Sequence, residues 1–236
     1  LSIAVSGHDS RLLYAATRSG LFVSHDGGRS WNDPYQIKLP VTMVRTTADN
    51  MLYAFIVSKG LVRMRESDTS WQPLYNQFGS QLLVDLTVAP GNPERLFAIN
   101  QFGRPLASKD NGESWHRFTG DPIPKTEAAV HGRKLYVTNC QQCHGPQGVG
   151  ENYSEKSLSD RNYLMATSLD DSTHAWHHSD DDLVKTILEG SPRNDRMRAW
   201  KDILSEQNAR DIVTYIKGLW GQRALDCQGP KHMQCM

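Results

Sequence analysis

Along the first ~120 residues the apolar positions come in short runs set between turn-formers. Leu12-Leu13-Tyr14-Ala15-Ala16, Gly20-Leu21-Phe22-Val23-Ser24 and Met51-Leu52-Tyr53-Ala54-Phe55 are bounded by Gly, Asp, Asn and Ser. That punctuation predicts strands joined by tight turns. The grammar then changes. Residues 120–127, with Pro122 and Pro124, read as a linker, and Ala128 to Asn139 reads as a helix. Ser179 ahead of Asp180, Asp181 and Asp182 predicts an N-cap with an acidic first turn. The helix it opens runs through Leu183, Ile187 and Leu188 and is stopped at Gly190 and Pro192. Ser205 predicts another cap, before Ile212, Val213, Tyr215, Ile216, Leu219 and Trp220 at helical spacing. The expected organisation is an all-β domain at 1–122 followed by an all-α domain at 123–236.

The β half repeats itself. Ser24-His25-Asp26-Gly27-Gly28-Arg29-Ser30-Trp31 recurs as Ser108-Lys109-Asp110-Asn111-Gly112-Glu113-Ser114-Trp115. A degenerate copy, Met64 to Trp71, keeps the tryptophan, with Glu66 in the aspartate's place and Ser70 before the ring. The tryptophans return about every 40 residues, the length of one propeller blade. The pattern Ser-x-Asp-x-Gly-x-Ser-Trp resembles the Asp-box of bacterial-neuraminidase-repeat propellers, which implies a partial β-propeller of about three blades. Its chemistry is structural: the carboxylate closes a hairpin through backbone N–H groups, Gly28 and Gly112 supply a positive φ, and the indole packs. Propellers usually close with four to eight blades. Further N-terminal blades are the preferred explanation, ahead of an open stack capped by the second domain or closure with another chain.

Composition narrows the classes. Among 236 residues, 26 basic and 26 acidic side chains balance, so no global field favours nucleic acid or anionic lipid. No apolar run approaches the ~20 residues of a spanning helix. The sequence begins at Leu1 without a charged-then-apolar leader, so a signal segment or anchor is expected upstream.

The chemistry concentrates in Cys140-Gln141-Gln142-Cys143-His144. Cys-x-x-Cys-His is the attachment pattern for haem c: two thiols a helical turn apart reach one porphyrin edge, and the histidine becomes the proximal iron ligand. A redox dithiol needs a thioredoxin-like βαβ setting, and a zinc site needs a second ligand pair that the C-terminal cysteines are poorly placed to give. From about Lys125 to Trp220 the chain resembles a class I cytochrome c. Gly132 and Tyr136 on the first helix and Tyr215 on the last fit the family's helix-crossing positions, and Gly145-Pro146-x-Gly148-x-Gly150 follows the motif. The resemblance implies one covalent haem c, with a distal methionine just before the final helix. Met197 is placed for that role, ahead of Met165, Met233 and Met236, although Arg198 follows it where many relatives have proline. The predicted cofactor set is thus Cys140, Cys143, His144 and Met197, the last two on the metal.

With both axial positions filled, such a site passes single electrons and has no place for substrate. The implied protein is not an enzyme but an electron carrier, alone or within a larger oxidoreductase, in the periplasm or another extracytoplasmic space. Its partners are redox proteins: a respiratory complex, an oxidase or a dehydrogenase. The propeller serves docking or scaffolding to another protein or chain. Two other classes stand beside this one: a haem enzyme or gas/peroxide sensor with a labile sixth ligand, and a copper-handling or assembly protein. The second rests on Cys227, His232, Met233, Cys235 and Met236, soft ligands for copper(I), against a Cys227–Cys235 disulfide. His174, His177 and His178 read either as a second metal site or as a solvated loop. Arg193, Arg196 and Arg198 read as propionate partners or a basic rim for an acidic protein.

Overall fold

The computed structural model describes residues 2–118, 120–122 and 124–235; Leu1, Thr119, Ile123 and Met236 lie outside the described residues. The chain divides into a β unit, residues 1–121 together with Tyr153–Glu155, and a helical unit made of the other residues.

The β unit holds three antiparallel sheets, each with its strands in chain order. The first contains β1 (Ser2–Val5), β2 (Leu13–Thr17) and β3 (Gly20–Ser24), with a lone bridge from Val23 to Asn32 where a fourth strand would lie. The second contains β4 (Val41–Thr46), β5 (Met51–Ile56), β6 (Gly60–Arg65) and β7 (Gln72–Tyr75). The third contains β8 (Leu83–Ala89), β9 (Asn92–Asn100), β10 (Pro105–Ser108) and β11 (His116–Arg117). The leading strands of successive sheets bond to one another. Val44 N donates to Ser2 Oγ at 2.8 Å, Thr46 Oγ1 to the Val5 carbonyl at 2.6 Å, and Arg45 Nε to Asp85 at 2.7 Å. The middle sheet is buried on both faces, so β5 reads as a continuous apolar run. Leu52, Ala54 and Ile56 pack with the first sheet, while Tyr53 and Phe55 pack with the third, as the two-residue strand period requires. Three blade-like sheets are what the tryptophan spacing predicts.

The two intact boxes match bond for bond. Gly28 N donates to Ser24 Oγ at 2.8 Å and Gly112 N to Ser108 Oγ at 2.9 Å. Ser30 N and Ser114 N each donate to the aspartate at 2.9 Å, and Trp31 and Trp115 Nε1 each donate to the glycine carbonyl at 3.1 Å. The hydrogen bonds that the aspartates accept, led by those from the Ser30 and Ser114 hydroxyls, hold Asp26 and Asp110 down to about 2. In the degenerate copy Glu66 accepts instead from Ser6 Oγ at 2.8 Å, and Trp71 Nε1 is buried without an acceptor.

The helical unit holds α1 (Glu127–Asn139), α2 (Gln141–His144), α3 (Glu155–Ser159), α4 (Asp180–Glu189), α5 (Glu206–Lys217) and α6 (Gln222–Asp226), with short 3₁₀ turns between and after them. The caps form as expected: Ser179 and Ser205 each make a reciprocal capping box, with Asp182 and Asn208. Thr126 caps α1. α5 ends at Lys217, earlier than its apolar spacing suggests, and Leu219 and Trp220 are buried from the turn that follows. At the α1–α5 crossing a Cβ on Gly132 would overlap the Asp211 carbonyl, which is why a residue without one stands there. One turn on, the Tyr136 and Tyr215 rings meet at 5.2 Å. Beside the crossing, His131 Nδ1 lies 2.7 Å from the buried Asp211 carboxylate. No helix among the described residues is long and apolar enough to cross a membrane.

Candidate functional site

α1 delivers the cysteine motif directly. Cys140 caps its C-terminus, donating to the Tyr136 carbonyl at 2.8 Å, and α2 is the single turn that carries Cys143 and His144. His144 N donates to the Cys140 carbonyl at 2.9 Å, so the motif is wound helically. Both thiols are free, Cys143 exposed and Cys140 half-buried. Burial, and then the neighbouring Cys143, raises the Cys140 thiol to about 11. A nucleophilic redox dithiol needs the opposite shift, so the thioredoxin-like use of this motif is disfavoured.

His144 Nδ1 lies 2.8 Å from the Thr167 carbonyl. Because a carbonyl only accepts, Nδ1 carries the proton and the Nε2 lone pair is left for a metal. Burial lowers the imidazole below its ordinary value, although the Thr167 bond works against that. The loop after the motif is pinned by Tyr136 Oη, which donates to the Gly145 carbonyl at 2.7 Å, and by Gly150 N, which donates back to the His144 carbonyl at 2.7 Å. The Gly148 carbonyl accepts from Leu169 N at 2.7 Å, and Trp220 Nε1 donates to the Leu169 carbonyl at 2.8 Å. The turn after the final long helix thus reaches the segment that holds His144.

Met197, half-buried, sits on a tight turn: its N–H donates to the Asn194 carbonyl at 3.0 Å, and its carbonyl accepts from Ser191 N at 2.9 Å. A network the sequence did not reveal ties this turn to the segment that follows the cysteine motif. Glu151 accepts from Arg196 Nη1 and Nη2, both at 2.8 Å, from Tyr163 Oη at 2.7 Å and from Ala166 N at 2.8 Å. Burial pushes its carboxyl up, but the Arg196, Tyr163 and Ala166 bonds outweigh that and bring it to about 2. Arg196 Nη1 and Asn194 Nδ2 also reach the Leu164 carbonyl, at 2.9 and 3.1 Å. Arg196 therefore latches this turn, and Arg198 lies over the Trp200 ring at 4.1 Å, while Arg193, Arg196 and Arg198 all remain exposed. The signal for the latch was an acidic residue after the motif and an arginine beside the methionine, which no local rule connects.

The tail differs from one reading. Cys227 and Cys235 form a disulfide, so neither offers copper(I) a thiolate, and Met233 is exposed on the following 3₁₀ turn. Met236 lies outside the described residues. Met165 lies two residues from Thr167, on the segment bound to the far nitrogen of His144.

The donor set suits a covalently attached haem: two free thiols one turn apart, an imidazole with Nε2 available, and a thioether on a separately anchored turn. Residues 127–216 match the family described as cytochrome C oxidase, cbb3-type, subunit III. The chain is also similar to the cbb3-type cytochrome c oxidase subunit FixP of Bradyrhizobium diazoefficiens, at 28% identity over 103 residues. That match covers 44% of this chain and 31% of the relative's length. Among solved structures, YCF48 from Cyanidioschyzon merolae is similar with a TM-score of 0.39 at 17% identity, covering 56% of this chain and 39% of that one. An ancestral GH74 enzyme gives a TM-score of 0.37 at 18% identity, covering 49% of this chain and 17% of that one.

Proposed function

We propose that the cytochrome c domain at residues 127–216 carries single electrons on one haem that Cys140 and Cys143 would attach and whose iron His144 and Met197 would ligate. The observation that carries this reading is the His144 Nδ1–Thr167 bond, which fixes the tautomer a proximal ligand needs. When bound, the haem supplies a one-electron ferric/ferrous couple. The chain's own residues do the rest. Thr167 orients the imidazole, Glu151 and Arg196 anchor the turn bearing Met197, and the neutral Cys140 thiol stands ready for thioether formation. A Met197 thioether on the haem iron would favour the ferrous state and leave no place there for a substrate.

The similarity to an oxidase subunit supports redox partners in a respiratory assembly and an extracytoplasmic location, where this type of haem attachment takes place. The β unit, 1–122 in this reading, docks or scaffolds. The copper-handling alternative loses support with its thiols in a disulfide. The reading is tested on the purified protein by acid-acetone extraction and a reduced-minus-oxidised spectrum. Colour that stays with the polypeptide, with the narrow α-band of a haem c, is expected; colour that extracts overturns it. Rapid CO binding by the untouched protein would favour the sensor alternative.

A further inference from the structure

Between the second and third sheets of the β unit lies a polar cleft that electron carriage does not use. Its volume is about 270 Å³, and its walls come from β5, β6, β7, the start of β9 and the turn of the second intact box. Along the same seam Tyr53, Phe55 and Leu61 pack with Leu96 and Trp115. Beyond Leu61 the two-residue strand period puts Arg63 and Arg65 on the same face of β6. Arg63 stands opposite Tyr53 on one side and Gln72 on the other, and Arg65 stands opposite Met51.

The two guanidiniums are cations without counter-ions. Among the described residues neither lies within ion-pair distance of a carboxylate. Arg63 sits beside the Tyr53 phenol, and its Nε is buried with no acceptor, an uncompensated cost for a charged donor. Asp49 and Asp68 also line the cleft, but their own turns occupy them. Thr47 Oγ1 donates to Asp49 at 2.5 Å, and Ser67 Oγ and Arg65 N donate to Asp68 at 3.3 and 3.4 Å. What the cleft has to spare is donors: the two guanidiniums, and the side-chain amides of Gln72 and Asn111.

We propose that this cleft binds a small dicarboxylate, with one carboxylate on Arg63 and the other on Arg65. Residues two apart on a strand lie about 7 Å from each other, more than a single carboxylate bridges. Each guanidinium suits one carboxylate through paired N–H bonds. Asp49 and Asp68 cancel the cleft's net charge, so it gathers no polyanion by its field and holds what its direct bonds fit. The small volume limits the ligand to a short chain.

The test is calorimetric titration of succinate into the haem-loaded full chain at constant ionic strength. One saturable site per chain is expected, weakened about tenfold or more by Arg63→Gln and by Arg65→Gln. Lys59→Gln, which removes an exposed cation just before β6, is expected to leave it unchanged. Sulfate at matched ionic strength is expected to bind about tenfold more weakly than succinate, or less. Arg65 is exposed, so Arg65→Gln keeps the fold and decides the matter even where Arg63→Gln disturbs the seam. Absence of saturable succinate binding, equal affinity in Arg65→Gln and the parent, or equal affinity for sulfate overturns the proposal.

Discussion

Glu151 shows how much one side chain carries that its sequence position does not announce. It accepts four hydrogen bonds, two of them from the guanidinium next to Met197. Bonds to a charged acceptor are worth about 1.5–3 kcal/mol each, so Glu151→Gln is expected to lower stability by roughly 2 kcal/mol in urea unfolding. Under the proposed ligation, it is also expected to weaken the charge-transfer band that a Met197–iron bond would give the ferric protein. The pH dependence has a definite sign. With the folded value depressed to about 2, its contribution is whole above the ordinary carboxylate value of about 4.3 and is lost as pH falls toward 2. Acid titration of that band should show this limb in the parent and not in Glu151→Gln. For Met197 itself, Met197→Ala should abolish the band, admit CO and lower the potential by a sizeable part of the ~0.8 V that axial ligands span. Met165→Leu should do none of these. The motif residues were legible because their chemistry is written in adjacent letters. Thr167 and Glu151 were not, because their partners lie 23 and 45 positions away and only the fold brings them near.

At the level of elements, the helix starts were readable because a capping box is a local exchange between residues three apart. The early end of α5 was not, since burial of Leu219 and Trp220 beyond Lys217 mimics continued helical spacing. The α1–α5 crossing offers a test in which two effects oppose. Gly132→Ala gains about 1 kcal/mol of helix propensity, but the new Cβ meets backbone rather than a movable side chain. Overpacking of this kind costs about 1–3 kcal/mol or more, so net destabilisation is expected, with the haem spectrum broadened before global unfolding. In the β unit the two intact boxes are readable for the same local reason as the caps. Their aspartates, both at about 2, add stability that is complete above about pH 4 and disappears as pH falls toward 2. Asp26→Asn with Asp110→Asn should flatten that acid limb in far-UV circular dichroism.

For the molecule as a whole, the β unit and the helical unit have separate cores, one set of clusters around the three sheets and another around Tyr136 and Tyr215. Thermal unfolding followed by haem absorbance is therefore expected to have a different midpoint from the loss of strand signal; one coincident transition would show that the two units are coupled. The charge balance that argued against nucleic acid at the outset survives as a neutral chain whose local ion pairs, such as Arg196–Glu151 and Lys217–Asp180, are satisfied internally. The span from Glu151 to Thr167 grips the imidazole at one end, through a carbonyl, and the methionine turn at the other, through a carboxylate. A nick in that span would release both grips together, so the two residues proposed to hold the iron, His144 and Met197, would lose their anchoring as a pair rather than one at a time.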